Sequence, residues 1–207
     1  MRRPASALAT VLAALTVTQP AFAHHVMDGG MPATLAQGLL SGLGHPIIGL
    51  DHFAAVVAIG CIASLHGAGA RLVVGYVVTM MAGVAVHLTG ASLPGAELWV
   101  AASVIALGLV LATRRNLSVL AAFALFAAVG LLHGYALGES IYGAEPTPLF
   151  AYLAGLAIIQ SVIALAAMSL ARLLTRRMAE AVPLRLIGAG ITGVGIAIFV
   201  QQVTPGV

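Results

Sequence analysis

Lysine is absent from this 207-residue chain, and charge of either sign is scarce: nine arginines and six acidic residues make up 7% of it. Soluble domains carry about a quarter of their residues as charges, so this chain lacks the polar material to coat a water-facing surface. The net charge of +3 rests on arginines scattered along the sequence, which excludes a concentrated nucleic-acid-binding face. Cys61 is the single cysteine. No internal disulfide can form, and its apolar setting makes it a small buried side chain. The nucleotide loop G-x-x-x-x-G-K-[ST] is missing, so the chain brings no ATPase domain of its own. The hydrolase signatures H-E-x-x-H and G-x-S-x-G are missing too. No alternation of apolar and polar residues marks a β-barrel.

What the chain does hold is apolar length. Hydrophobic residues make up 61% of it, and the mean hydropathy is +1.09. An all-α membrane protein in contact with the lipid bilayer follows. Residues 1–23 read as a cleavable signal peptide, with Arg2 and Arg3 before an apolar core and Ala21-Phe22-Ala23 as the cleavage site. The mature chain, 24–207, is then a single transmembrane domain beginning His24-His25. About six apolar stretches follow, near 45–65, 71–91, 97–113, 117–135, 148–171 and 184–202, each close to the ~20 residues a bilayer needs. Residues 31–43 are too short to span and are expected as a short helix on the outer surface.

Orientation comes from the arginines. Arg71, Arg114, Arg115, Arg172, Arg176, Arg177 and Arg185 all flank the first, third and fifth loops. The second and fourth loops hold Glu97, Glu139 and Glu145 instead. The positive-inside rule puts the odd loops in the cytoplasm and both mature termini on the periplasmic side of a bacterial inner membrane, which agrees with an export signal.

That topology gathers six of the seven histidines in the outer half, leaving only His66 at the cytoplasmic edge. His45, Asp51 and His52 mark the start of the first span, in GHPIIGLDH, and His133 and Glu139 the end of the fourth, in LLHGYALGES. Imidazoles and carboxylates grouped away from cations suggest a site for a divalent metal. In an unbroken helix His45 and His52 share a face but sit ~10.5 Å apart along the axis. Two nitrogens on one ion, at ~2.0–2.1 Å each, must lie far closer. Either Gly44, Pro46 and Gly49 break the helix, or the histidines are successive stations along a path; the second reading is preferred. His45 precedes Asp51 by six residues, as His133 precedes Glu139. With three spans in each half, that echo suggests a weak 3+3 inverted repeat. At the mature terminus, the free amine, the His25 amide nitrogen and its imidazole could chelate a metal that prefers square-planar nitrogen donors, as nickel(II) does.

Structural roles account for other polar groups. His66 and His87 fit helix–helix hydrogen bonds, and Trp99, Tyr135 and Tyr142 fit the interfacial belt. Gln160 fits either a pathway or a bond between helices. An acid beside a histidine within a span, Asp51 and His52, reads as functional. Two other classes of function remain open on these residues. Three histidines and an acid would suit a membrane-embedded zinc-dependent hydrolase, and paired histidines a haem- or metal-binding accessory subunit.

His45-x5-Asp51-His52, followed by an apolar run to Ala58-Ile59-Gly60, resembles the signature of the HupE/UreJ family of nickel/cobalt permeases, and HGYALGES at 133–140 resembles that family's second motif. In many members a second histidine stands where Leu137 is here, and the register of the acid varies. The resemblance implies a permease rather than an enzyme, carrying Ni2+ or Co2+ as cargo with no prosthetic group and supplying hydrogenase or urease maturation. It implies His45, Asp51, His52, His133 and Glu139 as metal stations along the path. The start HHVMDGGMP resembles the metal-binding N-terminus of energy-coupling nickel/cobalt importers, which implies capture of the ion by His24 and His25. Ligation needs neutral imidazole, so uptake is expected to fall at acid pH.

Overall fold

The computed structural model describes residues 30–177 and 182–204. The expected signal peptide and the proposed ligands His24 and His25 lie outside them. Seven helices and no strand occur among the described residues: α1 (Leu35–Ile48), α2 (Leu50–Ala63), α3 (Gly69–Leu88), α4 (Ala96–Ala112), α5 (Val119–Glu139), α6 (Pro146–Arg177) and α7 (Val182–Val203).

Local chemistry sets the boundaries that matter for the site. Thr34 starts α1 with a capping box: its Oγ1 accepts from Gln37 N at 3.2 Å, and Gln37 Oε1 accepts from Thr34 N at 3.2 Å. Pro46 lies inside α1 near its end and has no N–H to donate back to Gly42. Gly49 then leaves the helical region at φ −72°, ψ 104°. Its N–H still bonds the His45 carbonyl at 2.9 Å, while its own carbonyl accepts from Phe53 N at 2.9 Å. One residue thus ends one helix and starts the next, and the two axes meet at 78°.

This corrects the expected start of the first span. Residues 31–43 are not a separate surface helix: α1 continues to Ile48 and buries Gly38, Ser41, Gly42, His45 and Pro46. It does so against α6. A Cβ on Gly38 would meet the Pro148 backbone, and one on Gly42 the Tyr152 carbonyl. Glycine permits that approach where no hydrophobic force joins helices inside a bilayer. Further along, Gly60 of α2 meets the Ala164 carbonyl, so α1, the bend and α2 follow α6 in the same direction.

Two other close pairs complete the bundle, α3 on α5 and α4 on α7. Gly130 and Gly134 let α5 approach Tyr76 and Met80 of α3, and Gly108 and Gly188 face each other between α4 and α7. Exchanging the halves (α1/α2, α3, α4) and (α5, α6, α7) turns the α1/α2–α6 pair into α5–α3 and returns α4–α7 to itself. The exchange thus keeps these three closest pairs.

Four helices, α3, α5, α6 and α7, are long and apolar enough to cross a membrane, and the bent α1/α2 pair makes a fifth if it counts as one span. The remaining apolar stretch, α4, has 17 residues, or ~25 Å of helix against a hydrocarbon core of ~30 Å. Large apolar side chains such as Val74, Val78, Leu120, Phe150 and Leu186 face outward, as lipid-facing surfaces require. Arg172 Nη2 donates to the His66 carbonyl at 3.4 Å, and Arg185 Nε to the Ala112 carbonyl at 3.3 Å, both at the end of the bundle where the arginines gather.

Candidate functional site

The bend at Gly49 puts the end of α1 and the first turn of α2 side by side in the bundle. His45, Asp51 and His52 are all buried, at 5%, 3% and 5% exposure. The His45 and His52 rings lie 5.8 Å apart, centroid to centroid. The helix is therefore broken at Gly49, and the two histidines stand on different helices. Asp51 occupies the first turn of α2 and accepts from the backbone N–H of His52 at 2.8 Å.

α5 brings in the third histidine. His133 is fully buried, and its ring lies 5.0 Å from that of His52. The two Nδ1 atoms are 2.9 Å apart, and His133 Nε2 is 2.9 Å from Ser103 Oγ on α4. Ser103 also donates its hydroxyl proton to the Val100 carbonyl at 2.7 Å. Because that proton is committed, Oγ accepts from His133 Nε2–H. Neutral His133 then presents a bare Nδ1, which accepts the Nδ1–H of His52. Nε2 of His52 is left with its lone pair. The tautomers are assigned from this network.

The chain continues outward from His45, whose Nδ1 lies 3.2 Å from Ser140 Oγ. Tyr152 of α6 packs edge-on against His45 with centroids 6.5 Å apart, its hydroxyl fixed on the Leu137 carbonyl at 2.8 Å. Five helices, α1, α2, α4, α5 and α6, thus contribute to one line of imidazoles and hydroxyls. Among the described residues no three His, Cys, Asp or Glu side chains close into a cage around one point. The geometry is a row of donors. One pair in that row, His52 and His133, holds its two Nδ1 atoms at 2.9 Å, the length of an ordinary N–H···N hydrogen bond.

The other expected residues lie elsewhere. Glu139 ends α5 and is exposed, outside the row. At 100° per residue, position 139 is turned about 120° from His133 while position 140 returns to within about 20° of it. Ser140 therefore reaches His45. Sequence reasoning misses Ser103, Ser140 and Tyr152. Helical rotation from His133 points to Ser140, whereas a serine in an apolar helix such as Ser103 carries no signal beyond its ordinary bond to the preceding turn. His87 packs against the rings of Tyr135 and Tyr142 at 4.6 and 5.6 Å, and its buried Nδ1 makes no hydrogen bond.

Gly49 makes a local prediction. A Cβ there would stand 2.9 Å from His52 Cδ2 and 3.2 Å from Asp51 Oδ1. Gly49→Ala therefore displaces both side chains without touching the glycine-sealed helix pairs. The expected result is a roughly tenfold loss of transport at unchanged abundance, read by initial uptake rates against immunoblots of the membrane fraction.

Comparison with known proteins gives a consistent set of matches. The family model described as HupE / UreJ protein matches residues 12–198. Protein HupE of Rhizobium leguminosarum bv. viciae is 32% identical over 200 residues, covering 94% of this chain and 98% of the relative. No solved structure matches the chain.

Proposed function

Since the chain belongs to the HupE/UreJ family, a family of metal transporters, we propose that it is an inner-membrane permease that admits Ni2+, with Co2+ as the close competitor, to supply hydrogenase or urease maturation. The observation that carries this reading is the His52–His133 pair, two imidazole nitrogens 2.9 Å apart and buried at a broken helix. Broken helices at membrane depth are where ion sites are built in transporters. Imidazole nitrogen is a donor type that suits nickel(II).

In this reading the ion arrives on the periplasmic side, where His24 and His25 of the processed terminus capture it. Glu139, exposed at the end of α5, adds negative charge near the mouth. His45 receives the ion and passes it to the His52–His133 pair. Asp51, one residue from His52, offsets the ion's charge in a low-dielectric setting. Binding by both Nδ1 atoms requires the His52 proton to move from Nδ1 to its bare Nε2, because a nitrogen cannot hold a proton and a metal together. A row of donors instead of a closed cage suits transport, since conduction requires binding strong enough to enter and weak enough to leave. With no ATPase domain in the chain, the membrane potential is the simplest drive: ~2.3 kcal/mol per charge per 100 mV favours an inward-moving cation.

Accumulation of radioactive nickel by cells stripped of their own nickel importers tests this directly. Expression of the chain should raise accumulation well above the empty vector, and excess unlabelled cobalt should compete. Accumulation equal to the vector, with the protein present in the membrane, would sink the reading.

A further inference from the structure

Between Trp99 and Thr113, Ser103 is the one side chain of α4 able to form a hydrogen bond. A hydroxyl in an apolar helix ordinarily satisfies itself on a carbonyl of the preceding turn. Ser169 does so on the Leu165 carbonyl at 2.8 Å, Thr175 on Ala171 at 3.0 Å and Thr192 on Gly188 at 2.8 Å. Among the described residues none of these three hydrogen-bonds a second side chain. Ser103 makes the same bond, to the Val100 carbonyl at 2.7 Å, and yet also stands 2.9 Å from His133 Nε2 on α5. Its own helix already satisfies the hydroxyl. The second contact serves the imidazole, which is fully buried and whose Nε2 has no other partner among the described residues.

The direction of that contact is fixed. A carbonyl brings no proton, so the proton in the Ser103–Val100 bond is the serine's, and Oγ can only accept from the ring. The His133 proton therefore sits on Nε2, and Nδ1, which faces His52 Nδ1 at 2.9 Å, is bare. Helix packing holds the hydroxyl at this height. Two residues on, a Cβ on Gly195 of α7 would stand 2.8 Å from Ile105 N, and Gly108 faces Gly188, so α4 is seated on α7 while Ser103 meets α5. Without the hydroxyl, the bond between the two imidazoles could run either way. In one direction the proton stands on His133 Nδ1, and a nitrogen that holds a proton cannot hold a metal.

We infer that Ser103 is a positioning residue for the ion path: it keeps the ring proton of His133 on Nε2 and so keeps Nδ1, the nitrogen turned to His52, open to the divalent cation. This rests on the proposed function and deepens it, adding a residue outside both sequence motifs that never touches the ion. The hydrogen bond at one ring nitrogen decides what the other can ligate. With Ser103 in place, only His52 has to change tautomer when both Nδ1 atoms bind. Groups that orient a metal-binding histidine in this way are worth ~10–100-fold in metal affinity.

Two measurements separate this role from a plain clamp between α4 and α5. The first needs no transport. Long-range 15N–1H correlations of the detergent-purified full chain, labelled with 15N-histidine, read the tautomer of His133, its signal assigned by loss in His133→Asn. The parent should carry the proton on Nε2, and Ser103→Ala should populate the form with the proton on Nδ1. A parent with the proton on Nδ1, or a Ser103→Ala variant with the parent's tautomer, would overturn the inference. The second is nickel uptake, normalised to protein in the membrane. Ser103→Ala should raise KM about tenfold with the maximal rate within about twofold, since apparent affinity falls with the fraction of molecules in the competent form. Ser103→Thr keeps a hydroxyl that can bond the preceding turn, as Thr192 does, and should stay within about threefold of the parent KM. A clamp predicts a lower maximal rate at unchanged KM; that result, or a Ser103→Thr variant as impaired as Ser103→Ala, would overturn the inference and leave the permease reading intact. A parent chain that carries no nickel would overturn both. If Ser103→Ala fails to accumulate, Ser103→Cys, similar in size with a much weaker acceptor, takes its place with the same expectations.

Discussion

Replacing either His52 or His133 with alanine is expected to reduce nickel uptake at least tenfold, to near background, with the protein still present in the membrane. Loss of a group that merely supports a metal ligand costs ~10–100-fold, and each of these imidazoles is proposed as a ligand itself. The two act as one unit, 2.9 Å apart through their Nδ1 atoms. The double variant should therefore be no worse than either single one, the non-additivity expected of residues that share an interaction. Additive losses would show that the two histidines serve separate steps. The stability arm of the same experiment is informative, because His133 is fully buried and also bonds Ser103. His133→Ala leaves that hydroxyl its bond to Val100, so the fold should survive. Size-exclusion profiles of the detergent-purified variants check that point.

The largest structural effect is expected at Gly134. A Cβ there would collide with the Met80 carbonyl and stand 3.0 Å from Met80 Cα, backbone atoms that cannot swing aside. Gly134→Ala must push α3 and α5 apart, and α5 carries His133 of the site. Overpacking of this kind costs ~1–3 kcal/mol, enough to reduce the amount of folded protein in cells several-fold. Gly190 on α7 has open space around it. Gly190→Ala gains ~1 kcal/mol of helix propensity and should be neutral or mildly stabilising. Parallel thermal-aggregation curves of the two variants measure the contrast. Equal stability would mean that the α3–α5 approach is looser than the Gly134 contact implies.

The convergence of His45, Asp51, His52 and His133 is legible in the amino-acid sequence, because charge asymmetry between loops sorts residues by side. That sorting needs no side-chain geometry, and it stops at the side of the membrane. What lies beyond it escapes sequence reasoning for definite physical reasons. A regular helix through 45–65 separates the short α1 from α2 and keeps His45 far from His52. Gly49 is visible as a candidate break, but backbone choice at a glycine depends on packing. Here Gly38 and Gly42 bring α1 onto α6 and leave the chain no straight course. Analogy of spacing with Asp51 points to Glu139, although helical rotation from His133 favours Ser140. Ser103 and Tyr76 are ordinary members of apolar helices until a partner helix places His133 or Gln160 against them. Sequence periodicity reports which residues share a face, and only the pairing of helices decides what that face meets.

The central claim is that this bundle moves a nickel-like ion through a row of buried histidines with Asp51 offsetting its charge. Purified protein in liposomes loaded with a nickel-sensitive dye, under an inside-negative potential, measures it with no other protein present. The expected result is a nickel-dependent signal far above empty liposomes that Asp51→Asn abolishes. A signal from the parent no greater than from empty liposomes would contradict transport, and an Asp51→Asn variant as fast as the parent would remove the acid from the path.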